Sequence, residues 1–300
     1  MNIVFFGSSK YSCVAAKILN QKLGISLVIT NPDKPSGRKR KLAPSPVKEF
    51  ALQNKIPVLT FDILDEKAIN EITKINIDFL VVADFGKILP DQFLASPKYA
   101  ALNIHHSLLP KYRGPSPAPA AILAGEKKSG VTVIKMTKDV DAGSILAQEE
   151  YKLKEKETTD SLLIKLNTLG AKLLIDVIKN YLEGTIKPQK QNEKEATNTH
   201  RFKKEDGRID LENPPDPQTF NRMIRAFYPW PGTWCQLTVH GRQFTVKFLP
   251  VRGKKPGIKD QRPFLVQPES KRPMTIREFL NGYPETKELI NKLLNGSNLS

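Results

Sequence analysis

The chain has 300 residues, 39% hydrophobic and 26% charged, which predicts one large domain or two moderate ones with a real core. The formal net charge of +16 favours a polyanionic partner, most simply nucleic acid, although a lysine-rich surface that only aids solubility gives the same charge. The two cysteines lack CxxC spacing, which argues against a disulfide framework and a zinc site. The sequence shows no signal-peptide pattern and no apolar run near the ~20 residues that span a bilayer, which argues against secretion and membrane insertion. We therefore expect a cytoplasmic protein.

The N-terminal part of the chain alternates short apolar runs with helical segments. Strands are predicted at 2–6, 25–30, 56–59, 79–83, 101–104, 131–136 and 145–151, the last as a hairpin partner of its predecessor. Helices are predicted at 14–23, 46–54 and 158–182, where leucines recur at helical spacing and Thr158 or Asp160 would be the N-cap. Alternating strands and helices predict an α/β domain at 1–183 with a Rossmann-like, mostly parallel sheet.

The sequence changes character after this region. Residues 184–200 are polar and are predicted to be a linker. Beyond them, short candidate strands at 233–239, 243–249 and 264–267 are separated by Gly and Pro turns, which favours a small OB-like β-barrel at 201–300. That region has 18 Lys and Arg against 10 Asp and Glu, so we interpret it as a basic binding domain.

Polar side chains follow the predicted parallel strands, where ligands of such sheets bind. Asn103 and His105 are two residues apart, so both point to the same side of the sheet. An amide donor beside an imidazole can hold an oxyanion and move a proton. Downstream, Asp141 offers a carboxylate to orient that imidazole, although Asp before Gly143 is also typical of a turn. His106 points to the opposite face, which predicts a structural role.

Several common cofactor and nucleophile motifs are missing. The first turn, Gly7-Ser8-Ser9, lacks the second and third glycines of a dinucleotide fingerprint, and no P-loop or GxSxG elbow is present. Residues 31–45 contain a run of four cations, Arg38, Lys39, Arg40 and Lys41, within a Gly- and Pro-rich loop. Such a run is either a solvated surface loop or a phosphate-binding arm, and the basic C-terminal region favours the second interpretation.

Two segments together resemble the folate-binding core of the 10-formyltetrahydrofolate-dependent formyltransferases. They are residues 103–114, NIHHSLLPKYRG, and residues 141–146, DAGSIL. Residues 31–48, 224–232 and 272–282 resemble the branch of that family that formylates methionyl-tRNA, and the PWPG context at 229–232 is specific to that branch. The first turn departs from the family's usual Gly-Thr-Pro, Phe85 stands where Tyr is common, and residues 253–262 are unusually rich in charge and Pro.

The resemblance implies a site and two substrates. The catalytic residues would be Asn103, His105 and Asp141, with 10-formyltetrahydrofolate as co-substrate and no metal. Residues implied to contact the folate are Phe85, Ile88, Leu89, Pro90, Ser107, Leu108, Leu109 and Pro110. The arm at Arg38, Lys39, Arg40 and Lys41 would bind methionyl initiator tRNA.

The implied reaction is formyl transfer to the α-amine of methionyl initiator tRNA, by a protein that we expect to be a monomer. Asn103 and His105 would donate to the oxyanion, while Asp141 would fix the tautomer of His105 and raise its pKa. Three alternatives remain open: a sugar-nucleotide N-formyltransferase, the glycinamide ribonucleotide enzyme, and a non-catalytic RNA-binding protein on a degenerate scaffold. The two enzymes would keep the three catalytic residues, but neither explains the basic arm with a basic C-terminal domain.

Overall fold

The structure is a computed structural model that describes residues 1–36, 41–251 and 264–295. The chain divides into two compact units. Unit 1 consists of Met1–Pro117, Lys128–Lys152 and Leu163–His200, and unit 2 consists of Ala118–Lys127, Leu153–Leu162 and Arg201–Ser300. Residues 184–200 therefore belong to unit 1, where the sequence predicted a linker. Two short segments before residue 200 belong to unit 2, so the division is less simple than a single boundary.

A seven-stranded sheet forms the centre of unit 1. The strands of this unit, in chain order, are β1 (Ile3–Phe6), β2 (Leu27–Thr30), β3 (Lys34–Ser36), β4 (Lys41–Ala43), β5 (Val58–Thr60), β6 (Phe79–Val82), β7 (Ala100–His105), β8 (Lys128–Lys135) and β9 (Ile145–Lys152). The order in the sheet is β5-β2-β1-β6-β7-β8-β9. The first five are parallel, and β8 and β9 are antiparallel. The predicted mostly parallel α/β sheet is confirmed.

Helices cover both faces of this sheet. In unit 1 they are α1 (Lys10–Leu23), α2 (Pro46–Gln53), α3 (Glu66–Thr73), α4 (Asp91–Ala95) and the part of α6 (Thr159–Leu182) from Leu163 onward. Helix α5 (Pro117–Ala124) lies in unit 2 after Pro117. Helix α1 begins four residues earlier than predicted because the hydroxyl of Ser9 accepts hydrogen bonds from the backbone amides of Tyr11 and Ser12. The predicted long helix at 158–182 is confirmed.

Alternation along β1 divides the core of unit 1 into two layers. Ile3 and Phe5 pack in a cluster with residues of α1, α2 and α6, and Val4 and Phe6 pack in a second cluster with residues of α3 and α4. All four side chains are fully buried. A strand that buries both faces has no polar alternation, which is why these runs are continuously apolar in the sequence.

The sheet order creates a crevice at the carboxyl end of β1. The chain passes from β1 to β2 and β5 on one side, and then returns to β6 and β7 on the other side. Such a reversal is the usual ligand-binding position in open α/β sheets. Gly7, directly after β1, keeps this edge compact because a Cβ there would lie 2.7 Å from the Phe5 ring and 3.0 Å from the Ala83 carbonyl oxygen.

The described residues on either side of the predicted basic arm form two short strands. Strands β3 and β4 pair antiparallel, with Lys34 opposite Ala43 and Ser36 opposite Lys41. Lys41 is exposed at the start of β4. Arg38, Lys39 and Arg40 lie outside the residues that the structure describes.

Unit 2 contains a small antiparallel sheet where the sequence predicted a β-barrel. Its described strands are β10 (Thr233–Val239), β11 (Arg242–Pro250) and β12 (Phe264–Pro268), and its further helices are α7 (Pro217–Ala226), α8 (Ile276–Gly282) and α9 (Lys287–Asn295). The three predicted strand positions are confirmed. The core joins Phe220, Phe248 and Phe279 from different elements. Within the described ranges of both units, we find no helix long and apolar enough to cross a membrane.

Candidate active site

Strand β7 carries two of the three predicted catalytic residues to the carboxyl end of the parallel strands. In the antiparallel ladder with β8, Asn103 lies opposite Ile134 and His105 lies opposite Thr132. The neighbouring residues Leu102 and Ile104 fill the core cluster of α1 and α6. Since residues alternate along a strand, Asn103 and His105 share the other face, as the sequence predicted.

The structure brings Asn103, His105 and Asp141 together. The amide Nδ2 of Asn103 donates to Oδ1 of Asp141 at 3.1 Å, and Nδ1 of His105 lies 3.4 Å from Oδ2 of the same carboxylate. The backbone N–H of Gly114 donates to that Oδ2 at 2.8 Å. One carboxylate therefore fixes an amide, an imidazole and the loop after β7.

His105 is held between two hydrogen-bond acceptors. Its Nε2 lies 2.9 Å from the carbonyl oxygen of Tyr112, and its Nδ1 faces Asp141. Burial lowers the pKa of His105, while the Asp141 carboxylate and the Tyr112 carbonyl oppose that shift. The sequence predicted the contribution of Asp141 correctly, but the net direction is downward because desolvation outweighs it.

This environment gives the imidazole a defined chemical capacity. A neutral ring has one N–H and can donate to only one of its two acceptors, whereas the protonated ring can donate to both. The lowered pKa favours the neutral ring in the resting state. His105 is thus suited to take up a proton transiently, with Asp141 and the Tyr112 carbonyl stabilising the charged form.

The loop that carries Asp141 is shaped by close backbone contacts. Asp141 has a φ of +52°, in the left-handed region that Asp tolerates better than most residues. Gly143 lies so close to β8 that a Cβ there would collide with the carbonyl oxygen of Lys135. The DAG sequence therefore forms the turn that its composition also predicted, and this turn directs the carboxylate into the site.

The segment after α6 closes the site from the outside. Gln191 donates through Nε2 to the carbonyl oxygens of Asp141 and Gly143, both at 2.7 Å, and its Oε1 accepts from Nε and Nη2 of Arg113 at 3.0 and 2.8 Å. Arg113 also donates two hydrogen bonds to the carboxylate of Glu193, which raises the pKa of the guanidinium. Gln191 thus joins the loop that holds Asp141 to the loop that follows His105.

Backbone hydrogen bonds also join the loop after β7 to the segment that follows α6. The amide of Arg113 donates to the carbonyl of Thr197 at 2.8 Å, and the amide of Thr199 donates to the carbonyl of Arg113 at 2.7 Å. The hydroxyl of Thr197 accepts from the amide of Tyr112 at 2.8 Å. Gln191, Arg113 and Thr197 were not predicted as site residues, because hydrogen bonds between loops leave no periodic pattern in the sequence.

A Gln191→Ala substitution tests this connection. It removes the donors to two loop carbonyls and leaves the buried Arg113 without its amide partner, so we expect the free energy of unfolding to fall by about 1–3 kcal/mol. Chemical denaturation followed by fluorescence measures this change. Gln189→Ala is the matched control because Gln189 contacts Ile145 through its backbone only. Equal stability of the two variants would contradict the role of the Gln191 amide.

The residues that the resemblance implied for folate contact lie on the loops after β6 and β7. Phe85 and Leu89 are buried in the core, where the Phe85 ring meets Phe6 edge-to-face at 5.3 Å. Ile88 is 75% exposed and Pro90 is exposed, so they offer apolar surface to a ligand.

The loop after β7 is fixed mainly by its backbone. The amide of Leu109 donates to the hydroxyl of Thr132 at 3.1 Å, and the carbonyl of Leu109 accepts from Gln148 at 2.7 Å. Ser107 is buried and its hydroxyl donates to the carbonyl of Lys111, whereas Leu108 and Pro110 are half-buried.

Among the described residues, no three His, Cys, Asp or Glu side chains are grouped so as to hold a metal ion.

Comparison with known proteins agrees with this geometry. Residues 1–178 match the formyl transferase family, and residues 201–261 match the C-terminal domain of formyl transferases. A methionyl-tRNA formyltransferase of Staphylococcus aureus (strain MW2) is 38% identical over 230 residues, which cover 76% of this chain and 73% of that protein.

Two solved structures show the same fold at lower identity. A methionyl-tRNA formyltransferase from Clostridium thermocellum aligns with a TM-score of 0.58 and 19% identity, covering 90% of this chain and 98% of that one. An N-formyltransferase from Helicobacter canadensis, in complex with folinic acid and dTDP-3-aminofucose, aligns with a TM-score of 0.60 and 18% identity, covering 90% and 97%. Because the formyl transferase family matches residues 1–178 and the Staphylococcus aureus relative is 38% identical over most of the chain, this chain belongs to the formyl transferase family.

Proposed function

We propose that this protein transfers the formyl group of 10-formyltetrahydrofolate to the α-amine of methionyl initiator tRNA, in the cytoplasm and as a monomer. The observation that carries the proposal is the contact of Asn103 and His105 with one carboxylate, that of Asp141. The identity to relatives named methionyl-tRNA formyltransferases supports the choice of acceptor. The net charge of +16 suits a polyanionic acceptor.

The folate supplies an electrophilic formyl carbon, and the site residues manage the charges and the proton. The Nδ2 of Asn103 uses one N–H on Asp141, so its second N–H is the donor to the negative charge that develops on the formyl oxygen. His105 accepts the proton that the attacking amine loses and returns it to the leaving nitrogen. Asp141 stabilises the charged imidazole while the proton resides there.

The apolar surface at the same sheet edge suits a flat heteroaromatic ring. We propose that the exposed Ile88 and Pro90, with Leu108 and Pro110, form the surface that contacts the folate. Phe85 and Leu89 support this surface from the core, and Ser107 and Leu109 fix the second loop through their hydrogen bonds. Phe85 and Leu89 thus contribute mainly by packing.

The basic arm gives a test of the acceptor. Replacing Arg38, Lys39, Arg40 and Lys41 by Gln should weaken tRNA binding and reduce its log–log salt slope by about 0.7 for each lost phosphate contact. Filter binding at several salt concentrations measures both quantities. The matched control replaces four exposed helical lysines of unit 1, Lys22, Lys67, Lys172 and Lys179. An arm variant with the affinity and slope of wild type would mean that the arm is a solvated loop.

A sugar-nucleotide N-formyltransferase is the second candidate, because such enzymes share this fold. The deciding experiment incubates the protein with 10-formyltetrahydrofolate and, in separate reactions, methionyl initiator tRNA, an amino-sugar nucleotide or glycinamide ribonucleotide. Formylation of the tRNA alone is expected. Formylation of either small acceptor in its place would overturn the proposal, and transfer to none would favour a non-catalytic RNA-binding protein.

A further inference from the structure

A second His–Asp pair lies on the opposite side of β7 from the catalytic residues. His106 directly follows the strand, and its Nδ1 lies 3.5 Å from Oδ1 of Asp84. The His106 side chain is 5% exposed, whereas that of Asp84 is 24% exposed. The imidazole is therefore the buried member of the pair, and the carboxylate is the member that a ligand can reach.

Asp84 is held in place by three side chains. Besides His106, the hydroxyl of Ser9 donates to its Oδ2 at 3.2 Å, and Nδ2 of Asn167 lies 3.5 Å from the same oxygen. Asp84 also has a φ of +46°, a left-handed conformation that folded proteins retain mainly at turns and functional sites. It follows β6 at the crevice between β1 and β6, so a fixed carboxylate stands at the usual ligand position of such a sheet.

Two buried atoms of this cluster have no hydrogen-bond partner among the residues that the structure describes. They are Nε2 of His106 and Oδ1 of Asn167. When Nδ1 of His106 donates its hydrogen to Asp84, Nε2 is an acceptor, and Oδ1 of an amide is always one. The cluster thus combines a partly exposed carboxylate with two buried acceptors that add to its negative potential, and it suits a ligand that brings positive charge.

We propose that Asp84 binds the protonated α-amine of the acceptor substrate before transfer, with His106, Asn167 and Ser9 as positioning residues. A primary ammonium carries three N–H donors and one positive charge, which complements this cluster, whereas a phosphate group would be repelled by Asp84. The inference rests on the proposed function, because the aminoacyl end of the acceptor carries such an amine.

The cluster is also electrostatically close to the catalytic imidazole. Asp84 raises and His106 lowers the pKa of His105, although both act less than Asp141. An ammonium at Asp84 would therefore lie within electrostatic reach of the residue that takes up its proton. The carboxylate of Asp84 favours the charged form of the amine, so the amine would give up its proton to His105 only on leaving Asp84.

The test compares Asp84→Asn with Asp176→Asn, a control that removes an exposed carboxylate on α6. Asn tolerates positive φ, so the backbone at residue 84 should be retained, and Asp84→Gly provides a second variant that also suits this conformation. Binding is measured for methionyl initiator tRNA, its N-acetylated form and the deacylated tRNA. Steady-state formylation gives KM and kcat for the same variants, and thermal melting checks the fold.

Wild type and Asp176→Asn are expected to bind the free-amine form roughly tenfold tighter than the N-acetylated form, as for one charge-assisted hydrogen bond. Both Asp84 variants should lose this preference and raise KM by the same factor, with unchanged binding of deacylated tRNA. Folded Asp84 variants that keep the preference, or a wild type without one, would overturn the inference alone. A wild type that formylates no methionyl-tRNA would overturn the proposed function and the inference with it.

Discussion

The His105→Ala variant is expected to lose formyl transfer by roughly two to four orders of magnitude in kcat. The substitution removes the proton acceptor that lies between Asp141 and the Tyr112 carbonyl. Asn103→Ala should lose less, since it deletes one oxyanion donor and no proton carrier. Single-turnover formylation of methionyl initiator tRNA, with both substrates saturating, measures the chemical step directly.

Two controls separate this loss from a general defect. His240→Asn replaces an imidazole that is 89% exposed, in the β10–β11 turn, and it should keep wild-type rates. Binding of folate and tRNA to His105→Ala should stay close to wild type, because the ring is buried and contributes little contact area to either ligand. If His105→Ala turned over near the wild-type rate, the assignment of the three catalytic residues would be wrong.

The strand positions were predictable because each strand carries a direct physical signal. Buried parallel strands require apolar runs, which are visible at residues 79–83 and, interrupted only by Asn103, at residues 101–104. Two-residue periodicity then places Asn103 and His105 on one side and His106 on the other, which the contacts with Asp141 and Asp84 support. These conclusions needed only the local sequence.

Contacts between loops could not be predicted in this way. Gln191 is one polar residue in a polar segment, and its hydrogen bonds to the carbonyls of Asp141 and Gly143 depend on a fold that brings together residues about fifty positions apart. The same is true of Asp84, which meets Ser9 and Asn167 only once β1, β6 and α6 have assembled. Residues 184–200 were predicted to be a linker because their polar sequence does not show the contacts that they make with distant loops of unit 1.

The direction of the shift in the pKa of His105 could not be predicted without the structure. From sequence, a neighbouring carboxylate predicts a raised pKa, since opposite charges favour the protonated ring. Burial acts in the other direction, and its extent depends on how completely β7, β8 and the following loop enclose the imidazole. Because burial prevails, the pKa of His105 is lowered, which favours the neutral ring that can accept a proton.

The Asp141→Asn variant is expected to lose roughly two to three orders of magnitude in kcat and to shift its pH profile. Asp141 opposes the effect of burial on His105, so its removal should lower the pKa of the imidazole further. The neutral ring would then persist to lower pH, and the acid limb of kcat against pH should move to lower pH. Asn is isosteric with Asp and tolerates the φ of +52°, so the loop should keep its shape.

Asp139→Asn is the matched control for this shift, because it removes an exposed carboxylate two residues away on the same loop. It should keep both the rate and the position of the acid limb, which shows that general loop charge does not govern His105. A purely structural role of Asp141 would lower kcat and leave the limb where it is, because the pKa of His105 would be unchanged. An acid limb that moved to higher pH in Asp141→Asn would contradict the stabilisation of the charged ring by this carboxylate.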